Sequence, residues 1–191
     1  MLKEYKDLLD SNPEREEILQ SFLKEHPVLL CPTYTMVRPK LKIGARETDF
    51  VFREATGDYI LVELERSTKP LFLQKGHTSS QLKHAQNQIS DWRRYIEDNL
   101  STVQRELGLQ GISSNPKGLI VIGRSESLNE QNKRKLVTLE NESPKTKIMT
   151  YDDVFVNTKA LVENLLGPLW LDAGNTEVYY LPGNLQKTGS P

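Results

Sequence analysis

The stretch TDFVFREATGDYILVELERSTKPLF, residues 48–72, decides the fold because apolar and polar residues alternate on both sides of a turn. It predicts two short strands joined by residues 55–57. A three-residue loop that ends in glycine is a favoured hairpin connection, since glycine accepts the positive φ that is needed there. We therefore predict a β-hairpin in which Phe50 faces Val62.

This register sorts the side chains onto two faces, because successive residues of a strand point to opposite sides. One face is wholly apolar and consists of Phe50, Phe52, Ile60, Val62 and Leu64. The other face mixes apolar residues with acids and consists of Glu47, Asp49, Val51, Leu61, Glu63 and Glu65. Opposed like charges destabilise a sheet, so the carboxylates gathered at one end of the hairpin require compensation.

Three kinds of compensation are open for these carboxylates. They are a divalent metal ion, ion pairs with Lys42, Arg46 or Arg66, and raised pKa values that leave some of the acids neutral. Oxygen ligands in this number suit Mg²⁺ or Mn²⁺. On the hairpin alone, a metal site and a structural network of ion pairs are equal alternatives.

The rest of the chain predicts an α/β fold. Its elements are a helix from Pro13 to Pro27, strands at 35–43, 48–54 and 58–65, a helix at 80–108, a strand at 117–124, a helix at 127–140, a strand at 147–151, a helix at 152–167 and a candidate edge strand at 176–180. Strand, helix and strand between the hairpin and residue 124 form a right-handed crossover. We predict a mixed sheet, an antiparallel meander plus a parallel crossover strand, flanked by helices.

Length and composition set the outer limits. The chain has 191 residues, a net charge of −1 and one cysteine, Cys31. We predict a single domain over 1–191, with a core at about 13–166 and a C-terminal tail at 167–191. One cysteine excludes an internal disulfide and fits a reducing compartment. Without a secretory signal or an apolar run of about 18 residues, we expect a cytoplasmic protein with no membrane span.

Motifs for other chemistries are missing from the sequence. No glycine pattern forms a phosphate-binding loop or a dinucleotide fingerprint, which excludes nucleotide cofactors, and no cysteine and histidine spacing suits zinc. The near-zero net charge gives no global attraction to nucleic acid, although a neutral chain can still carry a local basic groove.

An Asp that starts one strand, followed by Glu-x-(Lys or Glu) on the next strand, resembles the pattern of the PD-(D/E)XK nuclease superfamily. Four further stretches, VELERSTKPLF, QLKHAQNQISDWRRYI, LIVIGR and MTYDDV, are similar to the nuclease domain of the Shedu family of bacterial anti-phage defence proteins. The resemblance runs from about Pro13 to about Leu166. It implies a restriction-endonuclease-like core and a metal-dependent DNA endonuclease that uses Mg²⁺ or Mn²⁺.

The resemblance also implies which residues form the site. Asp49 and Glu63 would be metal ligands together with the backbone carbonyl of Leu64. Glu65 stands where many members of the superfamily have a catalytic Lys, and it would act as a further metal ligand or as a general base. Gln88 resembles the Gln of a helix motif found in recombination-type members, which makes it a fourth catalytic candidate.

Basic residues are needed in two roles. Lys69, Lys75 or Lys83 could replace the lysine that is missing at position 65, and the sequence does not choose among them. The candidates for holding the DNA backbone are Arg66, Lys69, Lys83, Arg93 and Arg94. For each of these residues taken singly, a solvated helix face is the competing interpretation.

Partners follow from the same resemblance. DNA is the expected substrate. Members of the family often carry a sensing region and assemble, so a homo-oligomer and a separate sensing protein are further expected partners. The competing hypothesis is a catalytically inactive module that keeps the fold for nucleic-acid binding or assembly, with Glu65 paired to Arg or Lys.

Overall fold

The structure, a computed structural model, describes residues 1–13 and 15–167. The tail from residue 168 onward, including the candidate strand at 176–180, lies outside the described residues, as does the side chain of Lys75. The strands are β1 Tyr34–Pro39, β2 Lys42–Ile43, β3 Arg46–Glu47, β4 Phe50–Glu54, β5 Tyr59–Leu64, β6 Lys117–Val121 and β7 Thr146–Met149. The helices are α1 Leu2–Asp10, α2 Glu16–Glu25, α3 Ser80–Asp98, α4 Leu100–Glu106, α5 Glu130–Glu142 and α6 Tyr151–Leu166.

Five strands form one mixed sheet in the order β1-β4-β5-β6-β7. β1, β4 and β5 are antiparallel neighbours, whereas β5, β6 and β7 run parallel. In the β4–β5 hairpin Phe50 pairs with Val62, and Gly57 closes the turn at a φ of 91°. The predicted fold class and the predicted hairpin register are therefore confirmed.

Each face of the sheet has its own apolar core. Helices α3, α4 and α5 cover one face, onto which Val51 and Leu61 project. Helices α1, α2 and α6 cover the other face, which holds Phe50 and Val62. The apolar residues of the hairpin lie on the two faces assigned from their alternation, but Glu47, which we predicted to join the acids, lies in β3 and pairs with Lys42 in a separate ribbon.

The strand predicted at 35–43 is interrupted, and this part of the prediction is wrong. Lys40 has a φ of 53°, a left-handed conformation that ends β1 and turns the chain out of the main sheet. Beyond it, β2 pairs with β3 in a separate two-stranded ribbon. Alternating residues on both sides of a break look continuous in sequence, so the periodicity alone concealed the turn.

The helix predicted at 80–108 is also divided. It begins as predicted, with the Ser79 hydroxyl accepting a hydrogen bond from the Leu82 amide, but α3 ends at Asp98 and α4 starts at Leu100. At the junction, the Asn99 side chain donates to the Tyr95 carbonyl at 2.9 Å. Asparagine competes in this way with helical hydrogen bonding, which accounts for the break.

The first predicted helix begins later than expected. Its N-cap is Arg15, and Ile18 in its first turn is 43% exposed. Leu19 and Leu23 of the same helix are buried. These two leucines pack into the core on the face of the sheet that α1, α2 and α6 cover. Over the residues that the structure describes, no helix combines the length and apolarity needed to cross a bilayer.

Candidate active site

Asp49 lies where the ladder between β4 and β5 comes to an end. Its amide donates to the Val62 carbonyl at 3.2 Å, and its carbonyl accepts from the Lys40 amide at 3.0 Å. One step further along β5, the Leu64 amide donates to Asp49 Oδ2 at 2.7 Å. The carboxylate thus replaces a main-chain acceptor, which fixes it in place although only 7% of the residue is exposed.

The other oxygen of Asp49 has side-chain partners. Lys40 Nζ lies 2.6 Å from Asp49 Oδ1, and Gln20 Nε2 donates to the same oxygen at 3.2 Å. Neither residue could be identified from the sequence. Lys40 lies beyond the end of a different strand and Gln20 on α2, so no local spacing links them to the hairpin.

Glu63 is the second buried acid of the site, and it is also 7% exposed. Gln88 Nε2 on α3 donates to Glu63 Oε1. The helix is oriented by its apolar stripe, in which Ala85, Ile89 and Trp92 are buried. Gln88 lies beside that stripe and therefore points at the sheet, where its amide contacts Glu63 on β5.

Glu65 lies just past the end of β5. Its amide donates to the Val121 carbonyl at 2.8 Å, and its own carbonyl accepts from the Tyr151 hydroxyl at 2.7 Å. Burial and the neighbouring Asp49 raise the pKa of the Glu65 carboxyl, while the charges of Arg66 and Lys69 act in the opposite direction. Protonation of Glu65 is thereby favoured relative to an exposed glutamate.

The donor set is chemically suited to a hard divalent ion, since it offers the oxygens of Asp49 and Glu63 and the Leu64 carbonyl. In the structure the carboxylate oxygens have protein partners, namely Lys40 and Gln20 on Asp49 and Gln88 on Glu63. Within 1–13 and 15–167, no three His, Cys, Asp or Glu side chains form a group that could hold a metal ion. The metal ligands Asp49, Glu63 and Glu65 therefore stay a prediction.

The basic residues predicted to hold DNA are distributed unevenly. Arg66 is exposed and Lys69 is half-buried, and both are close enough to act on the pKa of Glu65. Lys83 and Arg94 are exposed on α3.

Arg93 has a different environment. Its guanidinium donates to the Pro116 carbonyl, to Thr146 Oγ1 and to the Lys145 carbonyl at 2.8–2.9 Å. These contacts link the first residues of β6 and β7, at the end of the strands opposite to the acids. The geometry favours a structural role for Arg93, as an internal support rather than a phosphate contact.

Comparison with known proteins gives one family match. Residues 13–155 match the family model described as "Shedu protein SduA, C-terminal". Among curated proteins, no sequence matches the chain.

Three solved structures show similarity at low identity. The first is an EndoMS–dsDNA complex, with 15% sequence identity and a TM-score of 0.33 over 68% of this chain and 41% of that chain. The second is a repair endonuclease from Pyrococcus abyssi, with 18% identity and a TM-score of 0.36 over 72% of this chain and 46% of that chain. The third is Pyrococcus furiosus SfsA in complex with Ca²⁺, with 13% identity and a TM-score of 0.36 over 70% of this chain and 56% of that chain. The match thus spans between two fifths and three fifths of the length of each. At these TM-scores the similarities do not bear on the activity of the chain.

Proposed function

Because this chain belongs to the family defined by the C-terminal part of the Shedu protein SduA, we propose that it is a metal-dependent DNA endonuclease. The observation that carries the proposal is the pair of carboxylates, Asp49 and Glu63, each 7% exposed at the open end of one hairpin. Both are hard oxygen donors on neighbouring strands. Such a pair suits a divalent ion used in phosphodiester hydrolysis.

Burial makes this pair costly as a purely structural feature. Moving a carboxylate out of water costs several kcal/mol, which hydrogen bonds and ion pairs offset only in part. Apolar side chains at the same positions would extend the cluster that already holds Val51 and Leu61. The sequence instead places two anions there, which supports a role in binding a cation.

Asp49 and Glu63, with the Leu64 carbonyl, would hold Mg²⁺ or Mn²⁺. When bound, the ion would polarise the phosphate and lower the pKa of a water molecule. The Leu64 amide and Gln88 orient the two carboxylates. In the hydrolysis the water oxygen would form a bond to phosphorus as the bond to the leaving oxygen breaks. Glu65 would accept a proton from the water, and the leaving oxygen would take up a proton from solvent. A carboxyl with a raised pKa is suited to that transfer.

DNA would be held through its phosphates. Arg66 follows Glu65 directly in the chain and Lys69 lies in the loop beyond it, and both act on the pKa of the Glu65 carboxyl, while Lys83 is exposed near the start of α3. Contacts to phosphate position a duplex without reading its sequence. We therefore propose binding that weakens steeply with salt, as counterion release requires.

Two measurements test the proposal. Calorimetry with Mn²⁺ should show binding by the wild type and none by Asp49→Ala. A plasmid-nicking assay should show cutting by the wild type and a loss of roughly 100- to 1,000-fold in Glu63→Gln, the size expected for losing a group that stabilises transition-state charge. Glu54→Gln, at the other end of the same hairpin, is the matched control and should cut normally. Equal cutting by Glu63→Gln and the wild type would contradict this site.

A second candidate function has an observation in its favour. The Lys40 ammonium and the Gln88 amide already compensate Asp49 and Glu63, as expected for a module that keeps the fold for binding or assembly without catalysis. Such a module would give no heat with Mn²⁺ in either the wild type or Asp49→Ala, and it would bind DNA without cutting it.

Assembly is the remaining part of the proposal. A homo-oligomer and a separate sensing protein are proposed partners on the grounds of family membership. Sedimentation of the chain with and without a DNA duplex would test the first of these directly.

A further inference from the structure

Lys40 has an unusual conformation for a lysine. Its φ of 53° lies in the left-handed region, which side chains with a Cβ rarely adopt. Asn12 is the other described non-glycine residue with a positive φ, and asparagine tolerates that region far better. Outliers of this kind are maintained only where surrounding contacts fix them, and they are concentrated at functional sites.

The contacts that fix Lys40 lead to one residue of the site. Its amide donates to the Asp49 carbonyl at 3.0 Å, and its ammonium lies 2.6 Å from Asp49 Oδ1. The turn is closed on the other side by the Thr48 amide, which donates to the Leu41 carbonyl at 2.9 Å. Main chain and side chain of Lys40 are therefore both bound to Asp49, and the left-handed turn directs the ammonium at the Asp49 carboxylate.

The side chain of Lys40 can also be reached from outside. It is 50% exposed, whereas the Asp49 side chain beside it is 9% exposed. A phosphate that approaches the acids would thus meet an ammonium already held at their edge. This position matters because Glu65 brings a negative charge to the place where a lysine is expected.

We infer that Lys40 is a catalytic residue whose ammonium contacts the phosphate being hydrolysed and supplies the positive charge that Glu65 cannot. The inference rests on the proposed nuclease function. Lys69 and Lys83, the other described lysines considered for this role, lie in the loop after Glu65 and on the exposed side of α3. Lys40 differs from both because it follows the end of β1 and its ammonium contacts Asp49, which precedes the neighbouring strand β4.

A purely structural role for Lys40 makes a different prediction. As a mere counter-ion, the ammonium would only neutralise Asp49, and its loss would leave cutting unchanged once metal saturates the site. As a phosphate ligand, its loss would slow cutting at every metal concentration. Metal affinity and cutting rate must therefore be measured separately.

The experiment uses Lys40→Met, Lys40→Gly and Lys117→Met. Lys40→Gly removes the ammonium while providing the residue best suited to a φ of 53°, so it should fold even if Lys40→Met does not. Lys117→Met is the matched control, because Lys117 Nζ lies 2.7 Å from Glu54 Oε2 at the far end of the same hairpin. Calorimetry gives the Mn²⁺ affinity of each protein, and plasmid nicking at saturating Mn²⁺ gives the rate.

We expect both Lys40 variants to bind Mn²⁺ about tenfold more tightly, since a competing cation has left Asp49, and to cut about 100-fold more slowly. Lys117→Met should match the wild type in both measurements. Wild-type cutting rates in Lys40→Gly would overturn the inference and leave the nuclease proposal standing. A wild type that binds no Mn²⁺ or does not cut would overturn both.

Discussion

The two ends of the β4–β5 hairpin carry charge in opposite ways. At the turn, Glu54 and Asp58 both bind Lys117, at 2.7 and 2.9 Å, with 19%, 56% and 46% of the three side chains exposed. These hydrogen bonds raise the pKa of Lys117 and lower the pKa of Asp58. Two carboxylates share one ammonium there, and the Asp58 and Lys117 side chains are about half exposed to water.

At the open end the acids are buried. Asp49 and Glu63 are 7% exposed, and burial together with Asp49 raises the pKa of Glu65. Exposed ion pairs contribute at most about 1 kcal/mol, whereas a buried carboxylate costs several kcal/mol before its partners offset the loss. The turn end is thus ordinary surface, whereas the open end holds carboxylates whose burial has to be offset by Lys40, the Leu64 amide and Gln88.

The largest expected effect on stability is at Gly123, whose backbone packs against the loop that follows Glu65. A Cβ added at Gly123 would lie 2.5 Å from the Lys69 carbonyl oxygen, in the loop that follows Glu65, and Gly123 has a φ of 67°. At Gly57 in the turn, a Cβ would meet nothing within 4 Å.

We therefore expect Gly123→Ala to lower the free energy of unfolding by about 2–4 kcal/mol, from the clash and the strained φ together. Gly57→Ala should cost about 1 kcal/mol, from the φ alone. Urea denaturation measures both. Equal losses would show that the two ends of the hairpin are equally constrained.

Next in size is the hydroxyl of Tyr151, which donates to the Glu65 carbonyl. Tyr151→Phe should lower the free energy of unfolding by about 1 kcal/mol, since a half-buried carbonyl loses its donor. Tyr59→Phe is the control at the turn end, where the hydroxyl donates to the Gln110 carbonyl at 2.8 Å. It should cost about the same.

The two tyrosine variants should differ in activity, because only Tyr151 supports Glu65. We expect plasmid nicking to slow about tenfold in Tyr151→Phe and to stay unchanged in Tyr59→Phe, as small displacements of reacting groups are costly. Unchanged nicking in both would mean that the Glu65 backbone needs no such support.

A smaller effect is expected at the turn itself. Lys117→Met should change the free energy of unfolding by about 0.5 kcal/mol or less, and salt at about 1 M should remove the difference from the wild type. Thermal denaturation at low and high salt measures this. A loss of several kcal/mol in the free energy of unfolding would contradict the view that the charges at the turn contribute less than the buried acids.

The smallest effect is a dependence on pH in metal-free protein. Because the pKa of Glu65 is raised in the folded state, the folded chain holds a proton that the unfolded chain releases between pH 4.5 and the higher folded pKa. Stability should therefore fall as pH rises through this window. Glu65→Gln should gain more stability over the wild type at pH 7 than near pH 4.5, and an equal gain at both pH values would contradict the raised pKa.

The sequence determined what depends on neighbours along the chain. The three-residue loop that ends in Gly57 set the pairing of Phe50 with Val62, and the alternation of side chains then placed Asp49 and Glu63 on the same face. The stripe of α3 similarly placed Gln88 toward the sheet, where it meets Glu63.

Only the tertiary structure decided which groups meet those acids. Lys40 reaches Asp49 because β1 ends in a left-handed turn, and Gln20 reaches it from a separate helix, α2. Arg93 instead donates to the Pro116 carbonyl, at the opposite end of the strands. Contacts between distant segments depend on how whole elements pack, and periodicity carries no information about that. Residue spacing therefore identified where the carboxylates gather, while packing alone decided which charges surround them.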